Sequence, residues 1–471
     1  MLDLRSYLDS VPEAVYRPNR PVSTVHEITA LQHAFEERGR YPIIHVPAPI
    51  LADGSTSELS LVTNLNASRT LTAAAVGIED HRYAARATAE RAGSGIEPVM
   101  VDPGDAPVRE VVEQGDAVDL TRLPALVQHD RDPGPYLTAA HATTRDPESG
   151  IDNTAIQRCW VKGPRLMSHM AYASSHNQAN IKKYWARGEP CPVAYWIGHH
   201  PKILVGAQAK LDYPQTHWEV AGGVAGEAIR LVPTVTHGKL ILVPADTEIV
   251  IEGWLPPNRL EADGPFGEYT GYMGPQVPAA VCEVTCVTRR SNAIYHDYAA
   301  HLADALVPDN FNHEAKLYSL ARAVTPSIRT VHMPVSGRRF HAYLQLENPP
   351  PGEARAALMA VLAYRRVKAA IALDTDIDIF NEKEVLWAVA TRVQWHRDAF
   401  TVPGISPSML DPSMAAGART TGRMAIDATL PSASEPGAPA PVPPRADVPA
   451  EALARAREIV GGDIDNGWPS G

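Results

Sequence analysis

The spacing of hydrophobic and polar positions changes twice along the chain. Up to about residue 115, helical spacing at 24–41 precedes a strand-like run at 42–46, and this mixture predicts an α/β layer. From about 120 to 300, strand-like runs dominate, which predicts a mostly antiparallel sheet or split barrel. After about 301 the alternation of helices and strands returns and predicts a second α/β domain.

These patterns predict an α/β (α+β) fold class. We expect an N-terminal α/β domain at 1–118, a central split-barrel domain at 119–302 and a C-terminal α/β domain at 303–429. A Pro- and Ala-rich arm and a short helix would occupy 430–471. The predicted central strands are 154–161, 192–197, 239–243, 247–251, 279–287 and 293–298, with a helix at 178–187. The predicted C-terminal helices are 312–324, 353–365, 382–392 and 450–459, with strands at 328–333, 340–346 and 367–373.

Composition narrows the class of protein. With 471 residues, the chain is long enough for several domains. Its net charge of -11 argues against a nucleic-acid or anionic-membrane partner. It has no apolar run of about 18 residues and no signal peptide at its start. Its four cysteines form no C-x-x-C pair, so we expect buried free thiols in a reducing cytoplasm.

The strongest chemical signal lies at 263–273, where Asp263 and Glu268 stand five positions apart. Two glycines, a proline and a phenylalanine lie between the two acids and exclude an ordinary helix. The segment is therefore a shaped loop that presents two carboxylates, and such loops often transfer protons. The alternative is a turn whose acids bind neighbouring backbone groups.

Four further side chains are weaker candidates: Asn153 and Arg158 in a strand-like run, His176 at a helix start, and Glu219 before a glycine pair. Together Asn153, His176 and Glu219 would offer oxygen and nitrogen ligands to Mn²⁺ or Mg²⁺. Taken singly, each fits an ordinary structural role: an ion pair for the arginine, a capped helix start for the histidine and an exposed side chain for the glutamate. The acidic cluster at 374–378 lacks the glycine of a calcium loop and predicts a strand-to-helix turn.

In their order and spacing, these segments resemble the UbiD-type decarboxylases, which use prenylated FMN. The resemblance runs from about residue 120 to 393 and is most specific at the loop 264–272. It is carried by the segments 132–138, 153–158, 244–253, 264–272 and 376–392.

The resemblance implies a role for each matching position. Arg158, Asp263 and Glu268 would form the catalytic network, with Glu268 as proton donor. Asn153, His176 and Glu219 would hold the divalent cation, with K⁺ as a further candidate ion. The residues implied to bind the prenylated FMN are Thr138, Asn153, Thr154, Ile156, Gln157, Arg158, Ser175, His176 and Glu219.

The implied reaction is reversible, non-oxidative decarboxylation of an acrylic, aromatic or heteroaromatic acid through a covalent cofactor–substrate adduct. The resemblance also implies a homo-oligomer, dimer or hexamer, joined through the C-terminal domain, and a separate flavin prenyltransferase that supplies the cofactor. Tyr269 and the segment 310–313 are candidates for the substrate pocket. The alternatives are an FMN-dependent oxidoreductase, which the lack of a G-x-G-x-x-G motif disfavours, and a non-catalytic flavin-binding protein.

Two positions depart from the family pattern. Asp263 stands where relatives commonly have glutamate, so its contact with Arg158 should be closer or water-mediated. No lysine follows the D-A-T sequence at 427–429, where relatives often carry one.

Overall fold

The computed structural model describes residues 2–173, 175–430 and 443–461. Contacts divide these residues into two units, one ending at Thr429 and one beginning at Leu430. The second unit contains the predicted terminal helix, Ala450–Val460. Most of the predicted Pro- and Ala-rich arm lies outside the described residues.

Ten strands form the central sheet, and all their pairings among the described residues are antiparallel. The prediction of a mostly antiparallel central region is therefore confirmed. Its strands are Val111–Gln114, Tyr136–Leu137, His141–Arg145, Asp152–Ile156, Cys159–Gly163, Leu166–His169, Cys191–Ile197, Ile249–Leu255, Leu260–Asp263 and Val277–Arg289.

Strand pairing links the N-terminal and central segments of the chain. The strand Val111–Gln114 pairs with Val277–Arg289 in the central sheet, and Ile294–His296 pairs with Ser60–Thr63 in the N-terminal sheet. The N-terminal sheet contains Val15–Tyr16, Ile43–Val46, Ser60–Thr63 and Ile294–His296, and a three-stranded sheet contains Val99–Met100, Arg230–Thr234 and Gly238–Pro244. The domain boundaries at 118 and 302 stay a prediction.

The C-terminal part of the first unit is an α/β layer, as predicted. Its sheet contains Ile328–His332, His341–Leu346, Ala369–Asp374, Ala399–Ile405 and Thr421–Asp427. The acidic segment after Asp374 is a strand-to-helix turn, where Arg392 pairs with Asp374 and Asp376. The α-helices of the chain are Leu4–Ser10, Glu27–Glu36, Arg69–Ala75, Ala84–Ala92, His176–Ala186, Pro201–Gly206, His217–Ala225, Ala303–Arg322, Glu353–Leu362, Glu382–Arg392, Trp395–Asp398 and Ala450–Val460.

Burial explains why the central strands lie where they do. Every residue of Cys191–Ile197 is buried, because the strand is an apolar run covered on both faces.

The four cysteines are free and buried, as expected. No helix in the described part of the chain is long and apolar enough to span a membrane.

Candidate active site

Arg158 lies at a break between two strands rather than inside one. The run 154–161, predicted as continuous, is divided into Asp152–Ile156 and Cys159–Gly163. At the break, the Gln157 N–H donates to the Ala140 carbonyl at 2.9 Å, in register with the pairing of the strand before it. The break places the Arg158 side chain, which is 12% exposed, beside the acidic loop.

The Arg158 guanidinium contacts both acids of the loop. Its Nε and one terminal nitrogen lie 2.9 and 2.8 Å from Asp263 Oδ2, and the other terminal nitrogen lies 2.5 Å from Glu268 Oε1. The contact with Asp263 is direct, so the water-mediated alternative is wrong. One arginine therefore links two carboxylates that are five positions apart in the sequence.

The loop geometry depends on its two ends. Asp263 ends the strand Leu260–Asp263, and Gly264 follows with φ +85°, a conformation that glycine adopts without strain. The Gly264 N–H donates to the Tyr136 hydroxyl at 2.9 Å. A short hairpin then pairs Phe266–Gly267 with Met273–Gly274, and Glu268 is the first residue of its turn.

Ser168 is a residue of this network that the sequence did not reveal. Its Oγ accepts from the Trp160 N–H at 2.8 Å and donates to Asp263 Oδ1 at 2.6 Å. Because Oγ has a single proton and already accepts from the backbone, that proton is directed at Asp263. Ser168 thus holds the Asp263 carboxylate so that its second oxygen, Oδ2, faces Arg158.

The electrostatic environment differs between the members of the network. Burial raises the pKa of Glu268 above its ordinary 4.5, although the charge of Arg158 opposes this rise. Burial lowers the pKa of Arg158, but the charges of Glu268 and Asp263 outweigh burial and raise it. Glu268 can therefore carry a proton while Arg158 stays charged.

Tyr172 is a second contact of Glu268 that the sequence did not reveal. Its hydroxyl donates to Glu268 Oε2 at 3.4 Å, which is a long hydrogen bond. Burial raises the pKa of the Tyr172 phenol above its ordinary 10, so the hydroxyl remains protonated at neutral pH.

A cavity of about 550 Å³ opens beside this network. Glu268, Tyr172 and Tyr269 lie on its wall. So do six of the predicted cofactor-binding residues: Asn153, Thr154, Ile156, Gln157, Ser175 and His176.

The helix His176–Ala186 begins at this wall. The Ser175 side chain caps it by accepting from the Gln178 N–H at 3.2 Å. The helix N-terminus directs backbone N–H groups and a partial positive charge towards an anion such as a phosphate.

Asp263 and the other three predicted cofactor-binding residues are not on that wall. Arg158 contacts the wall residue Glu268. Thr138 lies behind the wall, where its Oγ donates to the carbonyl of the wall residue Tyr298 at 2.8 Å. The side chain of Glu219 lies against Gly95, where an added Cβ would be 2.7 Å from Glu219 Cγ. The segment 310–313 belongs to the helix Ala303–Arg322 and is absent from the wall, whereas Tyr269 is present.

The predicted cation ligands are only partly assembled. Asn153 and His176 share the wall, and the Asn153 amide donates to Asn177 Oδ1 at 2.5 Å, which leaves the Asn153 oxygen for a ligand. Asp152 Oδ2 and His217 Nδ1 are buried without a hydrogen-bond partner among the described residues. No group of three His, Cys, Asp or Glu side chains in the described part of the chain is arranged to hold a metal ion. The metal assignment stays a prediction.

Comparison with known proteins gives matches over most of the chain. Residues 99–301 match the family described as 3-octaprenyl-4-hydroxybenzoate carboxy-lyase Rift-related domain, and residues 309–428 match the C-terminal domain of that carboxy-lyase. An anhydromevalonate phosphate decarboxylase of Methanosarcina mazei is 30% identical over 333 residues, which cover 70% of this chain and 76% of the relative.

Solved structures match over nearly the whole length. The UbiD-class enzyme HmfF from Pelotomaculum thermopropionicum, in complex with FMN, superposes with a TM-score of 0.87 at 32% identity, covering 96% of this chain and 99% of HmfF. An evolved dimeric form of HmfF in complex with prFMN has a TM-score of 0.84 at 30% identity, covering 96% and 98% of the two chains.

The family matches cover more than half of the chain, and the curated relative and the solved structures agree with them. The resemblance drawn from the sequence is thereby confirmed: the chain belongs to the UbiD family and is a decarboxylase, a carboxy-lyase of that family.

Proposed function

We propose that this decarboxylase acts on an α,β-unsaturated carboxylic acid, reversibly and without net oxidation, with prenylated FMN as its cofactor. The main support is the contact of one arginine with two carboxylates at the cavity wall, in which the more exposed carboxylate has a raised pKa. The complexes of HmfF with FMN and with prFMN support the choice of cofactor.

The residues present fit a phosphorylated flavin. The capped N-terminus of His176–Ala186 would hold the phosphate, and residues 154–157 would line the ring. When bound, the prenylated flavin supplies an electron sink for the pair left as CO₂ departs from an sp² carbon.

The protein residues then orient the acid and transfer its proton. Arg158 would hold the substrate carboxylate or the negative charge that develops as CO₂ leaves. Asp263, fixed by Ser168, keeps Arg158 in place. Glu268, whose pKa burial raises, would donate its proton to the carbon that has lost CO₂, and Arg158 would stabilise the resulting carboxylate.

The absorption spectrum of protein produced with a flavin prenyltransferase tests the class of cofactor. A modified-flavin spectrum, together with CO₂ release from a panel of unsaturated acids, supports the proposal. A normal FMN spectrum that NAD(P)H bleaches would favour an oxidoreductase instead. A bound flavin without any turnover would favour a flavin-binding protein.

The cation assignment has a separate test. His176→Ala should lower the content of bound Mn²⁺ and of flavin together, because both would bind at this wall. Elemental analysis measures the metal and absorbance measures the flavin. Unchanged metal content in the variant would contradict the site.

We further propose that the protein assembles into a homo-oligomer through its C-terminal α/β layer. The evolved dimeric form of HmfF supports the proposal that a protein of this family can assemble. Light scattering of the purified protein distinguishes a monomer, a dimer and a hexamer.

A further inference from the structure

The cavity wall carries several basic side chains, and three of them form ion pairs with acids. Lys210 and Arg339 share Asp309, at 2.5 and 2.9 Å from its two oxygens. Lys316 pairs with Asp212 at 2.7 Å. These contacts are internal ion pairs, and they leave one unit of positive charge, because Asp309 serves two cations.

Arg366 differs from these side chains. It lies on the same wall and is half-buried, yet no carboxylate among the described residues lies within ion-pair distance of it. Its guanidinium carbon lies 5.2 Å from the ring centroid of Tyr269, the residue directly after Glu268. A guanidinium that is withdrawn from water without a counter-ion is costly, and an anionic ligand would offset that cost.

The position of Arg366 separates it from the expected phosphate site. Its ring partner Tyr269 is fixed by a 2.9 Å hydrogen bond between the Tyr269 and Ser408 hydroxyl groups. Arg366 therefore lies on the part of the wall that contains Tyr269 and Glu268. The cofactor phosphate is expected at the Ser175–His176 helix start, where backbone N–H groups are available.

We propose that Arg366 binds a second carboxylate of the substrate, so that the enzyme prefers unsaturated dicarboxylic acids to the matching monoacids. The inference rests on the proposed function and specifies its substrate class. The planar guanidinium fork matches one carboxylate through two parallel hydrogen bonds. Arg365 also lies on this wall, so a phosphate group is the competing ligand, and the flavin content of the Arg366 variant distinguishes the two.

Two-point binding would also orient the substrate. Arg158 is held by Asp263 and Glu268, so the reacting carboxylate would be directed to that network. Arg366 would hold the far end of the molecule and set the distance between the two acid groups. The carbon that receives the proton would then lie at a fixed place relative to Glu268.

Calorimetric titration of cofactor-loaded protein with two matched pairs of acids tests the inference. The pairs are sorbic with muconic acid and cinnamic with 4-carboxycinnamic acid, whose members differ at the far end from the shared acid group. The proteins are the wild type, Arg366→Gln and Arg366→Lys. The matched control is Arg355→Gln, which removes an exposed arginine stacked on Phe400 away from the cavity.

We expect at least one diacid to bind the wild type and the control about 10- to 100-fold more tightly than its monoacid. Arg366→Gln should remove that advantage with an unchanged flavin content and Tm, and Arg366→Lys should retain part of it. Equal binding of both members of each pair, no binding of either diacid, or an advantage that survives Arg366→Gln would overturn the inference. Loss of flavin from Arg366→Gln would also overturn it, because the arginine would then serve the cofactor phosphate.

These outcomes are distinct from a failure of the proposed function. If a diacid binds through Arg366 but no CO₂ is released, the proposed reaction fails while the binding site stands. If monoacids are decarboxylated and the diacids gain nothing, the reaction stands and the role of Arg366 fails.

Discussion

Two buried Arg–Glu pairs in this molecule behave in opposite ways. Arg69 and Glu314 pair at 3.0 and 2.7 Å in the protein interior, and Arg158 pairs with Glu268 at 2.5 Å at the cavity wall. Burial raises the pKa of both glutamates, but at Glu314 the charge of Arg69 and a hydrogen bond from His332 outweigh burial and lower it below 4.5. At Glu268 burial prevails, and the pKa is raised.

The difference lies in how the carboxylate oxygens are satisfied. Glu314 accepts two bonds from Arg69, one from His332 at 3.0 Å and one from the Met333 N–H at 2.8 Å. Glu268 has one short contact with an arginine that it shares with Asp263, and one long bond from Tyr172. A carboxylate that accepts several good hydrogen bonds stabilises the fold, whereas one that accepts fewer can exchange a proton.

The largest expected effect comes from neutralising each glutamate in turn. Glu268→Gln should lower turnover by at least about 100-fold, because a general acid contributes about 10²–10⁴-fold. It should leave flavin content and Tm unchanged. Steady-state kinetics and absorbance measure these quantities, and full activity in the variant would contradict the proton-donor role.

Glu314→Gln is the matched variant for the structural pair. It leaves the Arg69 charge buried without its partner and should reduce the free energy of unfolding by about 3–5 kcal/mol. Turnover per folded molecule should change little. Urea unfolding measures the loss, and a stability equal to the wild type would show that the two pairs do not differ as we infer.

A smaller effect is expected when Asp263 loses its fixed orientation. Ser168→Ala removes the 2.6 Å bond to Asp263 and should lower kcat about tenfold with little change in KM, because Arg158 would be positioned less well. Ser319→Ala is the control, since that hydroxyl donates only to a carbonyl of its own helix. A parallel rise in KM with unchanged kcat would argue against a positioning role.

The pH dependence of kcat should follow the ionisation of Glu268, and the pH dependence of stability should follow that of Glu314. The raised pKa of Glu268 keeps the donor protonated above pH 4.5, so kcat should be high on the acid side and fall as pH rises through that pKa. The lowered pKa of Glu314 gives stability that is present above pH 4.5 and is lost as pH falls through the lowered value. Profiles of kcat and of unfolding free energy against pH measure both, and a kcat profile that is unchanged in its alkaline limb by Glu268→Gln would contradict this assignment.

The smallest effect should come from Tyr172→Phe. The hydrogen bond from Tyr172 lowers the pKa of Glu268, but at 3.4 Å it is weak. Its removal should move the alkaline limb of kcat by a fraction of a pH unit to higher pH and change kcat by less than about threefold. A shift to lower pH would mean that the hydroxyl acts in another way.

Element types were predictable where the periodicity was long, and their ends were less so. The helix Glu382–Arg392 begins and ends as predicted, because Asn381 caps it, acids occupy its first turn and Arg392 its last. The helix Ala303–Arg322 begins nine residues before its predicted start, because Pro308 interrupts the pattern although the helix continues through it. The break before Arg158 was missed, since a run of strand-favouring residues does not show where its ladder stops.

The site residues that a sequence pattern marks were predictable, and the others were not. The loop at 263–268 was identified from residue type and spacing, and Arg158 was identified from the family resemblance. The structure joins them within 3 Å. Ser168, Tyr172 and Arg366 were missed because a serine in a strand, a tyrosine in a turn and an arginine before a strand carry no motif. Their roles depend on neighbours that are 95, 96 and 97 positions away in the sequence.

The sequence by itself determined the fold class and the two acids of a shaped loop, because glycine, proline and hydrophobic period act over a few residues. Its resemblance to the UbiD-type decarboxylases indicated the family. Only the tertiary structure decided that Ser168 fixes Asp263, that burial raises the pKa of Glu268 and that no carboxylate among the described residues lies within ion-pair distance of Arg366. Those properties come from burial and from contacts between distant segments, and both depend on how the chain packs.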